Sequence, residues 1–149
     1  MTWPERRSMA KVVIDANILI SPAFGGKPLD VVIKAMGRHE VYVSREIEQE
    51  LKGVFSKLSG KLTGEQLAFV REKIDQLIGA ATLVNVSAHI ILSRDAKDDH
   101  YLSLCRAVEA EFLITGDKDL LDIPTGLLEK KGIKTRIVNP HQFLEEEIP

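Results

Sequence analysis

Short β-branched runs alternate with segments of helical periodicity along the chain. Val12, Val13 and Ile14 follow Lys11 in a first apolar run, and Asp15 interrupts it before Ile18, Leu19 and Ile20. Leu29, Val32, Ile33 and Met36 recur at i, i+3, i+4 and i+7, one face of a helix, with Pro28 suited to its first turn and Gly37 to its end. Val41, Tyr42 and Val43 predict a second strand. Ser44 is placed to cap a helix whose apolar face is Ile47, Leu51, Val54, Phe55 and Leu58. After the polar turn SGKLTGE, Thr63 can cap a further helix carrying Leu67, Val70, Ile74 and Leu77. Thr82 to Val86 predict a third strand, and Tyr101, Leu104, Cys105 and Val108 mark another helix. Glu111 to Thr115 predict a fourth strand and Thr135 to Val138 a fifth, after which Asn139 and Pro140 open a short last helix.

This alternation implies parallel strands joined by crossover helices. The expected architecture is an α/β, three-layer α/β/α sandwich around a central, mainly parallel five-stranded sheet. No repeat, low-complexity tract or Pro/Gly/Ser linker divides the 149 residues. One domain over residues 11–149 is therefore expected, preceded by an extension over residues 1–10 in which Met9 offers an alternative start. With 44% hydrophobic and 28% charged residues, the chain falls in the ordinary soluble globular class and can bury a core without disulfides. The single cysteine, Cys105, cannot form an internal bridge, which suits a reducing cytoplasm. A net charge of −2 neither favours nor excludes nucleic acid, so any basic surface must be local. No apolar run approaches a membrane span, and the arginines of MTWPERRSMA precede no hydrophobic region, so neither a signal peptide nor a membrane partner is expected.

In an open parallel sheet, ligands gather outside the carboxyl ends of the strands. Asp15 and Asn17 follow the first strand; Ser44 follows the second, with Glu46 and Glu50 one turn apart on the helix it opens. Asp95, Asp98 and Asp99 lie at the start of the helix containing Tyr101, and Thr115, Asp117 and Asp119 follow the fourth strand. Each acid alone has an ordinary use. Asp15 and Asp117 suit turns or caps, Asp95, Asp98 and Asp99 suit a helix dipole, and Glu46 and Glu50 suit a solvated first turn. Together they put carboxylates from four strand–helix junctions on one edge. Two such charges about 4 Å apart repel by about 4 kcal/mol at an effective dielectric of about 20. Either their pKa values rise or a cation holds them together.

An all-oxygen donor set selects a hard cation, Mg²⁺ or Mn²⁺, over Zn²⁺. The chain has neither a paired-cysteine motif nor an HExxH helix. His39, His89, His100 and His141 are scattered and read mostly as surface residues; His100, beside the acidic cluster, is the one with a small chance of a role. A carboxylate-bound Mg²⁺ keeps several waters, and one of them, lowered in pKa, can attack phosphorus while the metal neutralises the phosphoryl oxygens. This is the chemistry of nucleases and phosphatases.

VVIDANILIS, SREIEQEL, RDAKDDHYLSLCRAVEAEFLITGDKDLL and TRIVNPHQFLE resemble the PIN-domain family over residues 11–144, and more narrowly its group of toxins of toxin–antitoxin systems. The resemblance implies a five-stranded parallel sheet and Mg²⁺- or Mn²⁺-dependent ribonuclease activity. It assigns the acidic quartet to Asp15, Glu50, Asp98 and Asp117, with Asn17, Ser44, Thr115 and Asp119 in supporting positions. Where the family pattern reads Asp-Pro-Lys-Asp-Asn, this chain has Asp95-Ala96-Lys97-Asp98-Asp99, which brings Asp99 into competition with Asp98 as ligand. Asp15, Asp98 and Asp117 would bind metal directly or through water, and Glu50 would bind a second metal or orient the attacking water. Asn17 and Thr115 would hold carboxylates in place. Arg45, Lys52, Lys97 and Lys118 are candidate phosphate contacts near the same edge. An RNA substrate, an antitoxin protein and a homodimer are the implied partners, the last helped by the apolar faces of the two middle helices.

Two other readings compete. A PIN fold can serve as a non-catalytic module that docks RNA or protein. A receiver or phosphoryl-transfer domain would want paired acids after the first strand and a lysine after the fifth. Here Asp15 stands alone and Asn139-Pro140 follow the fifth strand, which disfavours that reading.

Overall fold

The computed structural model describes residues 10–20, 37–87 and 96–147. The expected helix over Leu29–Met36, the N-terminal extension except Ala10, and Asp95 and His89 lie outside the described residues, as do the side chains of Lys97 and Asp98.

Five strands form one sheet: β1 (Lys11–Ile14), β2 (Glu40–Val43), β3 (Thr82–Leu83), β4 (Phe112–Ile114) and β5 (Arg136–Val138). Their order is β3-β2-β1-β4-β5, and every pairing is parallel. Val12, Val13 and Ile14 are all buried, as are Phe112, Leu113 and Ile114. Successive strand residues point to opposite faces, so both faces of these central strands are covered, giving a three-layer α/β/α arrangement. The chain builds outward from β1 to β2 and β3, then returns to the other side of β1 for β4 and β5. The order therefore reverses between β1 and β4.

The third strand is shorter than its sequence predicts. The Val84 N–H still donates to the Val43 carbonyl at 2.8 Å, but β2 ends at Val43. Residues beyond Val84 thus have no strand to pair with, and Thr82 and Leu83 are exposed at the sheet edge.

Helix α1 (Arg45–Leu58) starts at Ser44, whose hydroxyl accepts from the Ile47 N–H at 3.2 Å, and buries Ile47, Leu51, Val54 and Leu58. Phe55 sits at the rim of that face, with the Arg71 guanidinium 5.4 Å above its ring. Helix α2 (Gly64–Ala80) begins with a reciprocal cap between Thr63 and Gln66 and buries Val70, Ile74 and Leu77. Most of the apolar residues of α1 and α2 are buried within the chain, while Phe69 of α2 stays exposed. Helix α3 (Ala96–Val108) is close to sheathed, with Tyr101, Leu102, Ser103, Leu104 and Cys105 all buried.

Two short helices, α4 (Lys118–Leu121) and α5 (Thr125–Lys130), occupy the β4–β5 connection where no helix is predicted. Helix α6 (Pro140–Glu147) opens as expected, with the Asn139 and Gln142 side chains capping each other's backbone N–H groups. It drops Phe143 edge-on against Phe112 and His39, both 5.7 Å away between ring centres. His39 is accordingly buried rather than at the surface, and its Nδ1 accepts from the Ala10 N–H at 3.1 Å.

Candidate active site

The β1/β4 reversal is where an open parallel sheet leaves a crevice at its carboxyl edge. Ile14 pairs with Ile114, so Asp15 and Thr115 emerge side by side there. Asp15 is 2% exposed, and its backbone N–H still bonds the Ile114 carbonyl at 2.9 Å. Its Oδ1 accepts from the Asn17 backbone N–H at 2.9 Å and from Asn17 Nδ2 at 3.2 Å. Its Oδ2 accepts from the Thr115 hydroxyl at 2.7 Å. The Asn17 bonds fold the chain into the one-and-a-half turns of 3₁₀ helix at Ala16–Ile20, where the sequence suggests only a further apolar run. Asp15 is therefore a turn former and also a buried, oriented carboxylate.

Thr115 fixes a second acid. A carboxylate only accepts and a backbone N–H only donates, so the Thr115 hydroxyl must give its proton to Asp15 while accepting from the Asp117 N–H at 3.0 Å. Asp117 caps α4, its Oδ1 accepting from the Asp119 N–H at 2.8 Å. Asp119 contributes that N–H, with its side chain exposed.

Glu50 stands across the crevice on α1. Its Oε1 accepts from the Tyr101 hydroxyl, which in turn accepts from the Ala16 N–H at 3.0 Å. Its Oε2 lies 2.8 Å from His100 Nε2, which must carry the proton if the carboxylate is ionised. His100 Nδ1 is buried without a hydrogen-bond partner among the described residues. Burial pushes the Glu50 carboxyl up, but the bonds from His100 and Tyr101, with the charges of His100 and Lys57, outweigh it and hold the group below its ordinary range. Burial, then the charges and bonding of Asp15 and Glu50, push the Tyr101 phenol well above the usual tyrosine range, so it remains a donor.

A pH prediction follows from Glu50. A depressed folded pKa stabilises fully above the unfolded value of about 4.3 and is lost as pH falls through the folded value. Urea midpoints for wild type should therefore drop more between neutral pH and about pH 3 than those of Glu50→Gln. Equal drops would show that the bonds to Glu50 contribute nothing.

A cleft of about 450 Å³ opens beside Glu50, lined by Asn17, Glu46, Gln49, Glu50, Gly53, Lys57 and His100. The remaining expected residues divide around it. Ser44 is buried as a helix cap. The Arg45 Nε–H donates to Asn85 Oδ1 at 3.2 Å, while Lys52 and Lys118 are exposed and do not line the cleft. Asp99 is buried, with its carbonyl accepting from the Ser103 hydroxyl at 2.8 Å.

Three participants escape sequence reasoning. Tyr101 reads as part of an apolar helix face, His100 as a residue beside the acids with only a small chance of a role, and Lys57 is not singled out. A buried phenol needs a hydrogen-bond partner, and Lys57 lies two turns beyond Glu50 on the same face, so both signals are present in the sequence. Cys105 is buried, and that burial raises its thiol to about 12, which removes it as a nucleophile.

Among the described residues, no three His, Cys, Asp or Glu side chains converge as a metal cage. Asp15 and Asp117, joined through one threonine hydroxyl, do suit Mg²⁺, which needs only one or two carboxylates and completes its shell with water and phosphate.

Residues 11–119 match the PIN domain. The fold is similar to a chain in the crystal structure of VapBC2 from Rickettsia felis bound to a DNA fragment from their promoter. That likeness has a TM-score of 0.52 and 14% identity, and covers 87% of this chain and 98% of that one. No curated protein matches the sequence. With the matched segment spanning most of its length and the sheet reversing at the acid-bearing edge, the chain belongs to the PIN-domain family.

Proposed function

We propose that this protein is a metal-dependent endoribonuclease that works in the cytoplasm, using Asp15, Glu50, Asp98 and Asp117 with Mg²⁺ or Mn²⁺. The observation that carries this reading is the bonded chain Asp15–Thr115–Asp117 at the sheet reversal, with Glu50 held opposite through Tyr101. Asp15 and Asp117 would hold the cation, which when bound supplies an activated water and neutralises phosphoryl charge. Thr115 and Asn17 hold Asp15 aimed, through the three hydrogen bonds they donate to its two oxygens. Glu50, fixed at both oxygens, would bind a second cation or orient the attacking water. Asp98, at the start of α3, is the fourth acid, with Asp99 its neighbour.

The likeness to VapBC2 supports an antitoxin as protein partner.

The test is cleavage of single-stranded RNA by wild type and Asp15→Asn in Mn²⁺, with and without a chelator, alongside calorimetric titration of Mn²⁺. Wild type should cleave only with metal and bind it measurably, and chelation should abolish cleavage until Mg²⁺ or Mn²⁺ is restored. Cleavage by wild type no faster than by Asp15→Asn would leave a non-catalytic RNA- or protein-docking module as the better reading.

A further inference from the structure

The middle of α1 holds Gly53, the poorest residue for a helix interior after proline. Among the described residues, nothing in the packing requires it: a Cβ there would meet no heavy atom within 4 Å, and the backbone is not left-handed. Gly53 nevertheless lines the cleft, between Glu50 and Lys57. The face Glu46, Glu50, Gly53, Lys57 has the spacing i, i+4, i+7, i+11, and it changes sign along its length. Carboxylates stand at the end near the crevice and an ammonium at the other, with bare backbone between them.

We infer that Gly53 and Lys57 form the path by which an RNA strand leaves the cutting site. Gly53 lets the strand lie close against the helix, and Lys57 pairs with a phosphate neighbouring the one that is cut. Lys57 is seven residues from Glu50, about 10.5 Å along the helix axis, which places it beyond the reacting phosphate. A cation held by Asp15 and Asp117 would offset part of the carboxylate charge at the crevice end, and Lys57 supplies positive charge beyond it. This makes Lys57, rather than Lys52, the phosphate contact of α1. The plain alternative is that Lys57 only complements the negative end of the α1 dipole.

The inference rests on the RNA part of the proposed function, and its test is separate from cleavage. Binding of a fluorescein-labelled single-stranded RNA is followed by anisotropy across a salt series, in an Asp15→Asn background that keeps the RNA intact. Lys57→Ala should weaken binding about threefold and lower the slope of log K against log salt by about 0.7. Gly53→Gln should weaken binding by a similar factor while its melting temperature stays level or rises, because glutamine is the better helix former. Parent-like affinity and salt slope in both variants would overturn the inference, as would failure of the parent to bind RNA. RNA binding that depends on both residues, without cleavage by wild type, would sink the nuclease reading and leave the path standing.

Discussion

Asp15→Asn should reduce metal-dependent RNA cleavage to no more than about one-hundredth of the wild-type rate while leaving the fold intact. Loss of a residue that merely orients a metal ligand already costs about 10–100-fold, and Asp15 is proposed as a ligand itself. The fold survives because asparagine nearly fills the same hydrogen-bond roles. Its carbonyl oxygen can still accept from the Asn17 N–H and Nδ2, as Asp15 Oδ1 does. Its amide nitrogen replaces Oδ2 and needs an acceptor, and the Thr115 hydroxyl can turn to supply one while still accepting from Asp117. The charge-assisted part of the bond is lost, a change of about 1–2 kcal/mol in stability. Calorimetric Mn²⁺ titration and urea unfolding read the two effects separately. Retained cleavage, or wild-type metal binding by the folded variant, would remove Asp15 from its proposed role.

Tyr101→Phe should destabilise the protein by about 2–3 kcal/mol and slow cleavage about 10–100-fold. Phenylalanine keeps the ring that packs in the core, so the loss isolates one oxygen atom. That oxygen serves two groups: it accepts from the buried Ala16 N–H and donates to Glu50. Without it, among the described residues, a buried backbone donor stands unpaired and Glu50 is tethered by His100 alone. Glu50 should then lose part of its depressed pKa, and the acid-induced fall in stability should shrink toward that of Glu50→Gln. A variant matching wild type in urea midpoint and in cleavage rate would show that the Tyr101 hydroxyl holds nothing in place.

The alternation of apolar runs made the sheet readable, because strands buried on both faces must be continuously apolar, as Val12–Ile14 and Phe112–Ile114 are. The carboxyl edge was readable for the same reason, since Asp15 and Thr115 break those runs at paired positions. Less of the site was visible. The partner of the Tyr101 hydroxyl is 51 positions away, and no local pattern marks a phenol as bonded rather than merely buried. Among the basic residues of α1, Lys52 is two residues from Glu50 yet does not line the cleft, while Lys57, two turns on, does. The extension of β3 to Val86 failed because a strand needs a neighbour, and the length of β2 is set by where Ser44 starts a helix. The helices at Lys118–Leu121 and Thr125–Lys130 are one turn or slightly more, too short to show a period.

The Thr115–Asp15 bond joins positions one hundred residues apart. During synthesis at about 5–20 residues per second, the chain carries Asp15 for about 5–20 s before Thr115 is made. Through that interval the first acid is an ordinary solvated aspartate on an unfinished sheet. The proposed cutting centre thus comes into being late, when β4 slots beside β1, and translation products that stop before Phe112 would be harmless to RNA whatever else they fold into.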